Sequence, residues 1–332
     1  MKALRTHAVG GPETLTLDDL PDPVAGPGQV VVAVKVCAIN FPDTLMIRDM
    51  YQFKPQRPYS PGGEFAGVIE SVGEGVTGWK AGDRVIGMCG NGGLAEKVAL
   101  EAHRLFPLPD DVSFETGASL LMTYGTTIHG LKDRGHIKAG ETLLILGAAG
   151  GVGISGIELG KAYGARVIAA VSSEEKAAAA REAGADDVVI YGRPPFDKDQ
   201  SKALAEAFKA ACGPNGADIV YDIVGGDYSE PAVRAIAWEG RFLVVGFPAG
   251  IARLPLNLTL LKSCDVCGVF WGAFVAREPA RNAANVAELF ALLKEGRINP
   301  RVSARFPLER GGEAIAMLAD RKAVGKVVVT ME

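Results

Sequence analysis

The stretch Leu143-Leu-Ile-Leu-Gly-Ala-Ala-Gly-Gly-Val-Gly153 decides how the chain folds. An apolar run closed by glycines reads as a buried strand ending in a tight turn, and Val152 to Tyr163 then carries helical spacing. A glycine pattern alone is a weak signal. Between a buried strand and a helix it fits a dinucleotide-binding turn. Gly150 would let the main chain approach a pyrophosphate, and Gly153 would let the helix pack on the strand. Gly151 and Val152 complete the helix start, where free N–H groups and the positive end of the dipole face phosphates. Ala148 stands at the first glycine position of the pattern. The competing reading is a Gly-rich turn with no ligand.

Working outward, strands and helical patterns alternate. Arg166 to Val171, Asp187 to Ile190, Ala217 to Val224 and Arg241 to Val245 read as strands. Glu174 to Ala183, Gln200 to Ala211 and Pro231 to Trp238 read as the intervening helices. Such alternation means parallel βαβ units and a doubly wound sheet. A site for NAD wants a carboxylate at the tip of the second strand, for the ribose 2′-OH. Here Val171 is followed by Ser172 and Ser173, with Lys176 one turn into the helix. Two hydroxyls and an ammonium suit a 2′-phosphate, so the expected cofactor is NADP(H). Glu174 and Glu175 fit the helix dipole instead. Lys176 has a plainer alternative, a solvated helix face.

The first third is β-rich, with runs at Val30 to Val36, Phe65 to Val72 and Arg84 to Met88 separated by Gly and Pro, which points to a barrel or sandwich. Two amphipathic helices follow the parallel region, near Pro279 to Glu295 and Glu309 to Asp320, and the chain closes on the strand Lys326 to Thr330. This tail is too short for a domain, so it completes the first one. The 332 residues allow two domains, and a net charge of −4 offers no basic surface for nucleic acid. No segment has transmembrane length and the start lacks a signal-peptide pattern, so a cytoplasmic protein is expected. The cysteines are odd in number and most lie in apolar runs, which suits buried thiols in a reducing compartment. Cys264-Asp-Val-Cys267 lacks the partners that a metal site needs.

The order of a β-rich first domain, Gly62-Gly63-Glu64, Lys80-Ala-Gly-Asp-Arg-Val85, Ala148-Ala-Gly-Gly-Val-Gly153 and Gly325-Lys-Val327 resembles the medium-chain dehydrogenase/reductase superfamily. The likeness is to its zinc-free, zeta-crystallin-like quinone oxidoreductase branch. It implies an α/β protein with a GroES-like catalytic domain at 1–124, completed by 267–332, and a Rossmann domain at 125–266, with the active site in the cleft against the nucleotide domain. In the zinc branch the metal is held by a Cys, a His and a second Cys or acid. Those positions hold Asn40, Gly63 in Gly62-Gly63-Glu64, and the neighbourhood of Met122-Thr123, so no metal is expected.

Without a Lewis acid, substrates that carry their own electron sink remain, namely quinones and alkenes conjugated to a carbonyl. The resemblance makes Tyr51 the candidate acid or hydrogen-bond donor and Asn40 a candidate amide contact to nicotinamide or substrate. Asp43 could belong to the same cluster, but an Asp after a proline more often ends a turn or caps a helix. The resemblance also places Thr126 on the nicotinamide side and Tyr191 near the adenosine, with Arg193 as a further candidate at the 2′-phosphate. Gly246-Phe247, at the end of the fifth strand, is a further cofactor contact, and Phe270-Trp271 belongs to the segment that lines the nicotinamide pocket. Lys326 would reach the cofactor or sit on a surface strand. For Phe270 and Trp271 the plain alternative is core packing. The expected function is NADPH-dependent quinone reduction. The alternatives are reduction of enones, acrylates or enoyl thioesters, and a non-catalytic, crystallin-like NADPH-binding protein. The resemblance implies a homodimer or tetramer, with Val266 to Phe270 as a pairing edge.

Overall fold

The computed structural model describes residues 1–331 and divides into two units, one of Met1–Met122 with the chain from Pro300 onward, the other of Thr123–Asn299. The first unit opens with the antiparallel ribbon β1 (Lys2–Thr6) and β2 (Leu15–Asp19). Then come β3 (Gln29–Ile39), α1 (Phe41–Met46), β4 (Glu64–Val72), β5 (Arg84–Met88), β6 (Lys97–Glu101), β7 (Leu105–Pro107) and α2 (Phe114–Ala118).

The second unit runs through α3 (Thr126–Ile128), β8 (Thr142–Leu146), α4 (Gly151–Ala162), β9 (Arg166–Val171), α5 (Glu174–Glu182), β10 (Asp187–Ile190) and α6 (Lys198–Cys212). It continues with β11 (Ala217–Asp222), α7 (Ser229–Arg234), β12 (Ile236–Val244), α8 (Asn257–Lys262), β13 (Asp265–Gly268), α9 (Trp271–Arg277) and α10 (Pro279–Lys294). The return to the first unit supplies β14 (Val302–Pro307), α11 (Gly311–Ala319) and β15 (Lys326–Thr330).

In the second unit six parallel strands lie in the order β10-β9-β8-β11-β12-β13. The order reverses between β8 and β11, the switch point at which open α/β sheets bind ligands, beyond the strands' carboxyl ends. Leu143 to Leu146 are wholly buried, as a strand covered on both faces requires. The first unit holds a seven-stranded sheet, β14-β15-β3-β4-β5-β7, with β6 also on β3. All its pairings are antiparallel except β14 with β15. Val327, Val328 and Val329 on β15 are wholly buried, so the carboxyl-terminal strand is part of this core.

Two expectations are corrected. The helix expected over Pro231 to Trp238 ends at Arg234, and Ile236, Ala237 and Trp238 begin β12. Ile236 and Ala237 are buried and Trp238 is exposed, and the β-branched Ile236 lies opposite Ala217 of β11, so pairing in the sheet decides the conformation there. The boundary expected at 267 falls at Asn299. Cys267 of β13 pairs in register with Leu243 of β12, and Glu288 of α10 binds Tyr163 and Lys132, so β13 and α10 belong to the second unit.

Candidate active site

In the second unit the glycine turn caps the carboxyl end of β8. Gly147 has φ +74°, and a Cβ there would lie 2.6 Å from Val224 Cγ2. The left-handed turn thus belongs to Gly147, one residue before the Ala148 position to which the sequence pattern assigned it. Gly150 is the N-cap of α4 and contributes no side-chain cap, which leaves the first N–H groups of a twelve-residue helix for a ligand. At Gly153 a Cβ would stand 2.5 Å from the Ala148 carbonyl carbon. One turn and two turns further, Cβ atoms at Gly156 and Gly160 would meet Ile145 at 3.1 Å and Leu143 at 2.8 Å. Glycines therefore line the face on which α4 rides over β8.

At the tip of β9 the three residues read from the sequence converge. Ser173 is the N-cap of α5, its hydroxyl accepting the Lys176 backbone N–H at 3.3 Å. The Lys176 ammonium donates to Ser172 Oγ at 3.3 Å. Glu174 and Glu175 are exposed in the first turn of α5. Tyr191, just past β10, donates its N–H to Val171 O at 2.9 Å, which sets it beside the same tip. Its ring is buried against Tyr228, with centroids 4.6 Å apart. Arg193 beyond it is exposed.

The remaining candidates of this unit differ in burial. Thr126 opens α3 between two stretches wound as π-helix, Leu121–Gly125 and His129–Arg134, an irregularity frequent at functional sites. Gly246 follows the end of β12, and Phe247 and Phe270 are exposed. Trp271 is buried, with its indole N–H donated to Asn282 at 3.3 Å. For Trp271, core packing describes its surroundings.

In the first unit the candidates gather around Glu64, a carboxylate with no exposed surface at the head of β4. Its Oε2 accepts from Asn40 Nδ2 at 3.1 Å and from the Lys326 ammonium at 3.1 Å, while Oε1 accepts the Met122 N–H at 2.8 Å. Lys326 also donates to Asn40 Oδ1 at 2.6 Å. The surface strand considered for Lys326 is not what is found: β15 lies between β14 and β3, and Lys326 is 4% exposed. Asn40 has its amide engaged on both atoms, so the contact expected with nicotinamide or substrate competes with bonds already made.

Asn40 also starts α1, where the Asp43 carboxylate accepts the Asn40 N–H at 2.8 Å and the Gly62 N–H at 3.0 Å. Burial pushes Asp43 up to about 6, against the pull of those two N–H groups and the Lys326 charge. Tyr51 follows in the next loop, half-buried; burial and the nearby Asp43 charge raise its hydroxyl above the usual range, which keeps the phenol protonated. The Glu64–Lys326 pair was missed in the sequence. Its signal there was a charged residue at the head of each of two strands, directly followed by an apolar run.

Model matches with known families cover much of the chain. Residues 26–110 match the alcohol dehydrogenase GroES-like domain and residues 151–290 the zinc-binding dehydrogenase family. The quinone oxidoreductase-like protein 2 homolog of Nematostella vectensis is 38% identical over 92% of this chain and 82% of its own length. Human quinone oxidoreductase is 30% identical over 100% of this chain and 98% of that one. The chain belongs to the quinone oxidoreductase branch of the medium-chain dehydrogenases/reductases. Among solved structures, the Escherichia coli quinone oxidoreductase, crystallised with NADPH, superimposes with a TM-score of 0.90 at 29% identity, covering 99% of this chain and all of that one.

The zinc in the second family's description does not fit the residues present. Asn40 is tied to Glu64 and Lys326, and Met122 offers a backbone N–H already bonded to Glu64. At Gly63, where the zinc branch has its imidazole, even a Cβ would come within 3.1 Å of Gly90 O. Among the described residues no three His, Cys, Asp or Glu side chains group as a metal site.

Proposed function

We propose that this member of the branch is an NADPH-dependent reductase that delivers hydride to quinones or to related conjugated carbonyl acceptors. The observation that carries the reading is the convergence of Ser172, Ser173 and Lys176 at the tip of β9, beside the uncapped start of α4. NADPH, when bound, supplies the hydride from its nicotinamide C4. The chain's own groups then have defined tasks. Gly150, whose own N–H is held by Gly147 O, lets the backbone approach the pyrophosphate, Gly151, Val152 and Gly153 present N–H donors to it, and Ser172, Ser173 and Lys176 bind the 2′-phosphate, with Arg193 in support. Tyr191 flanks the adenosine, and Thr126, Gly246, Phe247 and Phe270 line the nicotinamide side. Trp271 supports that wall from the core.

Tyr51 is the group we assign to the acceptor. A quinol oxygen takes its proton from water, whereas an enolate left by alkene reduction needs a placed donor. A desolvated phenol that stays protonated suits the second task, which is why alkene reduction is the second reading. Asn40 and Lys326 keep α1 and the loop carrying Tyr51 in place. A non-catalytic NADPH-binding role predicts binding without turnover.

The open edge of the parallel sheet, β13 with its exposed Val266, supports a homodimer in which two such edges meet. All five thiols are free, as suits a cytoplasmic protein, and no helix among the described residues is long and apolar enough to cross a membrane. The deciding experiment supplies NADPH and NADH side by side with naphthoquinones, enones, acrylates and acyl thioesters. Preferential oxidation of NADPH by naphthoquinones supports the reading; oxidation by alkenes alone moves the assignment to the second one.

A further inference from the structure

Inside the second unit the segment carrying Thr126 is held from three directions. The buried Tyr124 donates its hydroxyl to Glu158 Oε2 on α4 at 2.7 Å. The Trp271 indole closes on Gly125, where a Cβ would stand 2.7 Å from Cζ2. Thr127 Oγ1 donates to Thr123 O at 2.9 Å and lies 2.7 Å from Ser155 Oγ, and the Tyr221 hydroxyl donates to it at 3.1 Å. Glu158 has a second duty: the same Oε2 accepts the Asn299 N–H at 2.7 Å. One carboxyl oxygen therefore holds residues at both ends of the unit, which runs from Thr123 to Asn299.

We propose that Glu158 is a positioning residue for cofactor binding, clasping Tyr124 and Asn299 to α4 so that Thr126 is fixed, with a grip that depends on its charge. The proposal rests on the NADPH-dependent reading above. Burial raises Glu158 to about 7, opposed by the Tyr124 hydroxyl and the Asn299 N–H. Tyr124 itself is pushed well up by burial and by Glu158, so it remains a donor. The charged groups nearby are engaged elsewhere. Lys161 of α4 pairs with Asp186, Arg297 binds Ala162 O and pairs with Glu295, and Glu288 takes Lys132 and Tyr163. A carboxylate accepts roughly twice as strong a hydrogen bond as a neutral carboxyl. The clasp consequently tightens as pH rises through the neutral range.

The test is a fluorescence titration of the full-length protein with NADPH at pH 6 and pH 8.5, for wild type, Glu158→Gln and Tyr124→Phe. Titration of the 2′-phosphate is common to all three and forms the background. Beyond it, wild-type affinity should rise about threefold with pH, while both variants should lose that rise. Tyr124→Phe keeps the ring and the carboxyl, so it tests the clasp should Glu158→Gln misfold. If a variant that melts like wild type keeps the full wild-type pH dependence, the clasp is overturned and the NADPH reading stands. If wild type does not bind NADPH at all, both fall.

Discussion

At the scale of single residues, the most consequential group is Lys326. Its ammonium and the Glu64 carboxylate are both withdrawn from water, a costly state offset by their mutual contact, the Asn40 amide and the Met122 N–H. Lys326→Met leaves Glu64 buried without its counter-charge and should lower the unfolding free energy by about 3–5 kcal/mol in urea titrations. Adding Glu64→Gln should recover part of that loss, and a single variant as stable as wild type would show that the pair is not what holds the site together. Asp43 offers a pH test. Folded, it keeps its proton up to about 6, against an ordinary value of 3.8. Between these values the folded state binds more protons than the unfolded one, so stability from this group is present below about 4 and is lost as pH rises through about 6. The difference between the two values corresponds to about 3 kcal/mol at most. The gap in unfolding free energy between wild type and Asp43→Asn should shift in favour of the variant by up to that amount from pH 4 to pH 7. A gap independent of pH would mean that Asp43 does not titrate there.

At the scale of elements, local patterns were legible and remote ones were not. The bounds of β5, β9, β10 and β15 could be read to the residue, because each is a largely apolar run set off by turn-forming residues on at least one side. The cofactor turn and the β9 tip were legible for the same reason: strand, glycines, helix and serines are contiguous. The end of α7 was not, because Ile236 to Trp238 is short enough to continue a helix pattern, and its pairing with β11 decides the matter. Glu64 and Lys326 are separated by 262 positions, and nothing local in either strand names the other. The cap at α5 ties local structure to cofactor choice. Ser173→Ala should cost about 1 kcal/mol of stability through the lost N-cap. It should also lower the preference for NADPH over NADH several-fold in steady-state kinetics, since the same hydroxyl faces the 2′-phosphate in our reading. Unchanged preference would remove Ser173 from the site. Gly153→Ala, by driving a Cβ against the Ala148 carbonyl, should displace the start of α4 and abolish measurable NADPH binding in the same titration.

At the scale of the whole molecule, the two units differ in how they are built. The second is continuous from Thr123 to Asn299 and contains all six strands of its parallel sheet. The first is assembled from both ends of the chain: β15 reaches it only after the second unit has been traversed, yet it lies inside the sheet on β3 and brings Lys326 to Glu64. Closing so long an intervening loop has an entropic cost, which is modest once that loop is folded and its ends are brought near each other. Removal of everything after Asn299 should therefore unfold the first unit, because β3 loses a central neighbour and Glu64 its counter-charge. The fragment 123–299 should keep its parallel sheet and bind NADPH. Circular dichroism should show the β-rich signal of the first unit lost in 1–299, with limited proteolysis degrading residues before Thr123 and sparing the rest. Protection of both units in 1–299, with a wild-type melting temperature, would show that the carboxyl-terminal strand is dispensable and that the first unit folds from its amino-terminal part alone.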